Sequence, residues 1–87
     1  MSQPSLLAQY EDLASTMHQM LEAARQGRWD TFDYLQSCYD TFIALLKARG
    51  PYPALSADER LRKVAIVRAM LADDRELQAI AESLASQ

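Results

Sequence analysis

Gly27-Arg28-Trp29-Asp30 constrains the chain more than any other stretch. It interrupts a long run of helix-compatible sequence where a helix stop, Gly27, meets a helix start, Asp30, with a large aromatic between them. One or two residues remain for the connection, so the flanking helices must fold back as an antiparallel hairpin. Eighty-seven residues suffice for a single domain, 1–87, and one core of this size gives marginal stability. A docked partner or a second copy would add to it. Hydrophobic residues at 49% and charged residues at 24%, with two glycines and three prolines, describe a folded helical chain, and an all-α small antiparallel helical bundle is expected.

Charge narrows the function classes. The net charge of -3 hides a basic middle: Lys47, Arg49, Arg60, Arg62, Lys63 and Arg68 lie between two acidic ends. Such a layout can steer a partner, or it can be solvated faces that offset one another when packed. A pI near 4.9 argues against nucleic-acid binding. No apolar run reaches the length of a membrane span, and Met1-Ser2-Gln3-Pro4 lacks the regions of a secretory signal, so a cytoplasmic location without membrane insertion is expected.

The first helix is expected over about 4–26, with cap candidates from Ser2 to Ser5 around Pro4. Its buried stripe is Leu6, Tyr10, Leu13, Met17, Met20 and Ala24, the methionines filling the core. His18 falls off the stripe and reads as a surface histidine with no titratable partner evident. The second helix is expected over 30–49, capped by Asp30, with Trp29 and Tyr34 at the positions of a hydrophobic staple. Phe32, Leu35, Tyr39, Phe42 and Leu46, flanked by Cys38, Ile43 and Leu45, make a face broader than a two-helix seam needs. A further helix should therefore pack on it. Cys38, the single cysteine, reads as a buried inert thiol and rules out an internal disulfide or thiolate metal site.

Gly50-Pro51-Tyr52-Pro53 ends that helix, and Tyr52 is either an exposed docking aromatic or a ring packed under the bundle end. Ser56-Ala57-Asp58-Glu59 is a capping box that starts a third helix, 57–72, with a core stripe of Ala57, Leu61, Val64, Val67 and Leu71. Arg60, Arg62 and Lys63 are expected mostly outward. Asp73-Asp74 permits a break leading to a short helix 74–86, or continuation through an exposed charged turn; the break is favoured slightly. A second stripe of Ile66, Met70, Leu77, Ile80 and Leu84 faces away from the first. A helix with two apolar faces must cover both, by folding back, by dimerising, or by taking a client helix in a groove.

No Gly-rich phosphate loop, metal-ligand pair at helical spacing, or nucleophile with base and orienting acid occurs. Neither an enzyme nor a cofactor is expected.

Ala24-Arg25-Gln26-Gly27-Arg28-Trp29-Asp30, with a bulky apolar helix on both sides, resembles the helix 1 to helix 2 junction of the FliT-type flagellar export chaperones, where an alanine-rich helix end leads into a Gly-x-Trp-Asp turn. Leu71-Ala72-Asp73-Asp74-Arg75-Glu76-Leu77 is similar to that family's Leu-x-Asp-acidic/Asn-x-x-Leu stretch. The resemblance covers nearly the whole chain in order and spacing. It implies a cytoplasmic chaperone without ATPase activity that binds the C-terminal part of the filament-capping protein FliD, prevents premature assembly and helps deliver it to the type III export apparatus. Further partners implied are the export ATPase and its stalk component and, in some members, the master regulator FlhDC.

Longer members carry an additional C-terminal helix that partly masks the client groove, whereas this chain stops at Gln87. A naturally short member and a cut chain are both open, and either favours the groove reading of the second stripe. The expected client surface is Ile43, Ile66, Val67, Met70, Leu77 and Ile80, with Arg60, Lys63 and Arg68 as partners for client acids. Trp29 is expected to be a structural clamp outside that surface. The alternative is a self-associating scaffold in which the second stripe is a homodimer seam.

Overall fold

A computed structural model describes residues 5–87. It contains three helices, α1 (Leu6–Arg25), α2 (Trp29–Arg49) and α3 (Ala57–Ala85), and no strand among the described residues. Ser2, Pro4 and the expected start near residue 4 lie outside the described residues. Ser5 is the cap of α1: its hydroxyl accepts from the Ala8 N–H at 3.0 Å. No described helix is long and apolar enough to cross a membrane.

The turn at Gly27 forms for the reason expected. Gly27 takes φ +70°, a conformation costly for any residue with a Cβ. Its N–H donates to the Ala24 carbonyl at 3.1 Å, and the Arg28 N–H to that of Ala23 at 2.8 Å. Together these bonds make a Schellman motif that satisfies the end of α1. The start of α2 differs from expectation. The Arg28 carbonyl already accepts from the Phe32 N–H at 3.0 Å, so Arg28 is the cap residue and Trp29 the first helical one. Asp30, displaced into the first turn, makes no capping bond and acts only as an anion near the positive helix end. The Trp29–Tyr34 staple does not form, because Tyr34 is 70% exposed. Trp29 meets Phe32 instead, edge to face, with ring centroids 5.4 Å apart.

The core belongs to α1. All the buried side chains among the described residues lie on it, and Leu13 and Leu21 are essentially inaccessible. The expected stripe is reproduced by Leu13, Met17, Met20 and Ala24, with Leu7 and Leu21 joining it and Leu6 and Tyr10 at its half-buried edge. Both α2 and α3 pack on α1, and they do not pack on each other. The expectation of a further helix on the broad face of α2 therefore fails. Phe32, Leu35, Tyr39, Ile43 and Leu46 are only half-buried, as is Cys38.

Successive helices alternate in direction, so α3 runs parallel to α1. Three polar rungs tie the pair in order: Arg62 donates to Glu11 at 3.0 Å, His18 Nδ1 lies 3.2 Å from Asp73, and Arg25 bonds both Glu22 and Glu76. His18 thus has a titratable partner, contributed by an element 55 positions away and invisible to local spacing. Opposed carboxylates hold the Arg25 guanidinium above its ordinary range.

Two expectations for α3 are corrected by these rungs. Ser56 and Glu59 form the capping box reciprocally, with bonds of 2.9 and 3.2 Å. No break follows at Asp73-Asp74, because neither carboxylate turns back to cap the backbone. Asp73 faces His18 and Asp74 accepts from the Gln78 amide at 2.9 Å, so the helix continues to Ala85. The rungs also fix the rotation of α3. Ile66, Met70, Leu77 and Ile80 are half-buried, as is Val67, while Leu61 (70% exposed), Val64 and Leu71 of the expected core stripe are exposed. Arg62 is accordingly engaged, and Lys63 Nζ lies 5.2 Å from the centre of the Tyr10 ring.

Between α2 and α3, Tyr52 folds under the bundle end. Its hydroxyl lies 2.8 Å from the Leu46 carbonyl and 3.1 Å from Gln9 Oε1, either of which can take its proton. The docking-aromatic reading of Tyr52 gives way to the packed one.

Candidate functional site

Two arms that share a backbone but do not touch leave a trough between them, floored by α1. At the end near the Gly27 turn it is a depression of about 430 Å³. Met17 and Met20 form its floor, Trp29, Phe32 and Tyr39 its α2 wall, and Asp74, Leu77 and Ala81 its α3 wall. A second depression of about 520 Å³ follows, floored by Tyr10, Leu13 and Met17 and walled by Ile43 and Leu46 on one side and Val67, Met70 and Leu71 on the other. Met17, Tyr39 and Asp74 line both and form a waist. Val67 joins the second depression to a third, of about 370 Å³, lined by Arg60, Lys63, Val64 and Arg68. From Arg60 to Ala81 the α3 wall extends about 30 Å at 1.5 Å per residue.

The trough is apolar with charge at defined points. At the waist the Tyr39 phenol is pushed above its ordinary range, first by partial burial and then by the charges of Asp74 and Asp40. Asp40 lines the first depression beside Gln36 and Gln78. Among the described residues no Lys, Arg or His pairs with Asp40 or Asp74, and no carboxylate pairs with Arg60, Lys63 or Arg68. No group of three or more His, Cys, Asp or Glu side chains that could hold a metal ion occurs among the described residues.

Most of the expected client surface comes together here. Ile43, Val67 and Met70 line the second depression, Leu77 the first, and Arg60, Lys63 and Arg68 the third. Ile66 and Ile80 line none of the three. Ile66 follows Arg62 by one turn and precedes Asp73 by two, which places it on the edge that bonds α1. Residues not expected here are Met17, Phe32, Tyr39, Asp74 and Trp29. Trp29 is 40% exposed on the lip of the first depression as well as closing the turn. A signal for the α2 members was present: Trp29, Phe32, Tyr39 and Ile43 step along one side of a face already too broad for one seam. Asp74 carried no such signal, because its significance depends on an arm it does not touch.

Fold and site together define a small three-helix protein that holds an open, mostly apolar trough between two arms on a central helix. Comparison with protein families matches the flagellar protein FliT family over residues 7–87. The chain belongs to the FliT family, which makes it a member of a family of flagellar export chaperones. Comparison with curated proteins and with solved structures gave no significant match.

Proposed function

We propose that the chain is a cytoplasmic export chaperone that holds the C-terminal region of the filament-capping protein FliD as an amphipathic helix in the trough between α2 and α3. The observation that supports this most is the pair of arms packed on α1 but not on each other, which leaves half-buried apolar side chains of both facing one gap. A helix of ordinary width, about 10–12 Å with side chains, is the element that fills such a gap. Burying several aliphatic side chains at about 1.5–3 kcal/mol each, less ordering costs, supports micromolar or tighter binding. Occupying the FliD segment in this way prevents its premature assembly, and the outer surfaces of α2 and α3 stay available for the export ATPase, its stalk component or FlhDC.

Calorimetric titration of the chain with a peptide of the FliD C-terminal region tests the proposal. Saturable one-to-one binding is expected, with Ile43→Asp weakening it at least about tenfold at unchanged helicity. Unchanged affinity in Ile43→Asp would put the client elsewhere. A stable dimer that ignores the peptide would favour the self-associating scaffold.

A further inference from the structure

We propose that the trough selects its occupant by charge register: it takes an amphipathic helix with one cationic side chain about a third of the way from its N-terminal end, lying with its C-terminal end toward Arg60, Lys63 and Arg68. This rests on the helix-in-trough reading above and adds to it a direction and a required residue.

Three observations carry the inference. The waist is the only place where the two large depressions meet, and Asp74 projects into both from the α3 wall, with Asp40 opposite on α2. Neither carboxylate has a cationic partner among the described residues, although the protein pairs Glu11, Glu22, Asp73 and Glu76 with cations or a histidine elsewhere. Asp74 is only half-exposed, and its one bond is to the neutral amide of Gln78. An apolar helix laid over this point would bury unpaired negative charge, which is costly. A helix carrying Lys or Arg there would neutralise it and find a strengthened ion pair in a site it has itself dried. The raised affinity of the Tyr39 phenol for its proton registers the same negative field.

Direction follows from the other end. Arg60, Lys63 and Arg68 surround the third hollow without a carboxylate among the described residues. The C-terminal end of a helix carries about half a negative charge, and acidic side chains near it add to that. Placed over the basic hollow, that end is favoured; reversed, the helix would set its positive end against three cations. The roughly 30 Å wall accommodates about twenty helical residues, and Asp74 lies closer to Ala81 than to Arg60 along it, so the waist falls about a third of the way along the occupant from its N-terminal end.

The test uses two designed peptides of about twenty residues with the same apolar face and composition, each carrying a fluorophore. One has a Lys about a third of the way from its N-terminus and acidic residues in its last turn; the other has a Glu at that position and the acids in its first turn. Fluorescence anisotropy with the full chain should show the first binding at least about tenfold tighter. Asp74→Asn should narrow the preference and Asp74→Lys should narrow it further, the remainder coming from the basic end. A nitroxide at the first peptide's C-terminus should broaden amide signals around Lys63 and leave those around Ala81 sharp. Equal affinity of the two peptides, an unchanged preference in Asp74→Lys, or broadening at Ala81 would overturn the register while leaving the trough as a helix site. Failure of both peptides and of the FliD segment to bind would overturn the parent reading as well.

Discussion

Ile66 and Val67 are neighbours in sequence and both half-buried, yet the rotation of α3 assigns them opposite duties. Ile66 lies on the edge bonded to α1, and Val67 lines the trough. A fully buried isoleucine stabilises by about 1.5–3 kcal/mol, so a half-buried one contributes about 1–1.5 kcal/mol. Placing a carboxylate in that seam adds a desolvation cost of about 1–3 kcal/mol. Ile66→Asp should therefore destabilise the fold by about 2–4 kcal/mol, which for a domain this small lowers the melting temperature by about 10–25 °C. Val67→Asp leaves its carboxylate facing an open trough, and its stability cost should stay near or below about 1 kcal/mol. Urea titration followed by circular dichroism, in parallel with calorimetry of the FliD segment at a temperature where both variants are folded, separates the two effects. Affinity should fall at least about tenfold in Val67→Asp and little per folded molecule in Ile66→Asp. If Ile66→Asp were stable but unable to bind, and Val67→Asp unstable, α3 would have to be rotated onto its other stripe.

Gly27→Ala meets no steric obstacle, since nothing lies within 4 Å of the added Cβ, and the whole cost is the left-handed backbone. Thermal melts should show a loss of about 1–2 kcal/mol. Ser56→Ala removes the hydroxyl half of the capping box and should cost about 1 kcal/mol in urea. Glu59 is held below the ordinary carboxylate range by the Ser56 N–H and hydroxyl. Its contribution is therefore complete above the ordinary glutamate value and is lost as pH falls through the lower native value, an acid-side decline that Glu59→Gln should flatten. For Tyr39 the sign is opposite in pH: the raised native value means its contribution is complete below the ordinary phenol range and is lost as pH rises through the native value. Ultraviolet titration of the phenols should show Tyr39 ionising late, and Asp74→Asn should bring it earlier; no change would remove Asp74 from the waist.

Elements and their punctuation were legible because they are set by neighbours in sequence. Gly27 needs only its own φ and two carbonyls behind it, and the Ser56–Glu59 box closes within four residues. The second Asp-led signal, at Asp73, has the same local grammar as a helix start but is overridden by His18. Asp30 failed as the cap by two positions, because the Schellman bond of Arg28 N–H and the acceptance of Phe32 N–H by its carbonyl use the same residue to end one helix and begin the next. Which stripe of α3 turns inward was beyond periodicity, since both are apolar. The choice is made by Glu11, His18 and Arg25, whose partners lie 51 to 55 positions away. The resemblance to the FliT family was read from the turn and the Leu71–Leu77 stretch, both of which are local patterns, and the family match extends over residues 7–87.

The open trough follows from how α1 differs from the other two helices. Ala14, Ala23, Ala24 and Thr16 keep its sides narrow enough for a helix to pack on each, and it carries all the deep burial. The facing walls of α2 and α3 are of another kind. They hold Trp29, Phe32, Tyr39 and Leu71, too bulky for close approach at a shared axis, and Asp40 and Asp74, which closure would bring together in a drier environment. Closing the arms on each other would thus bury like charges, whereas a cation-bearing helix from outside would cover the same apolar surface and neutralise them. Occupancy and folding stability become linked: a helix that binds only the folded form at a hundred times its Kd adds about 2.7 kcal/mol. For a domain whose burial is concentrated on one helix that term is a large fraction of its stability, so the incomplete core is the physical basis of the proposed helix binding.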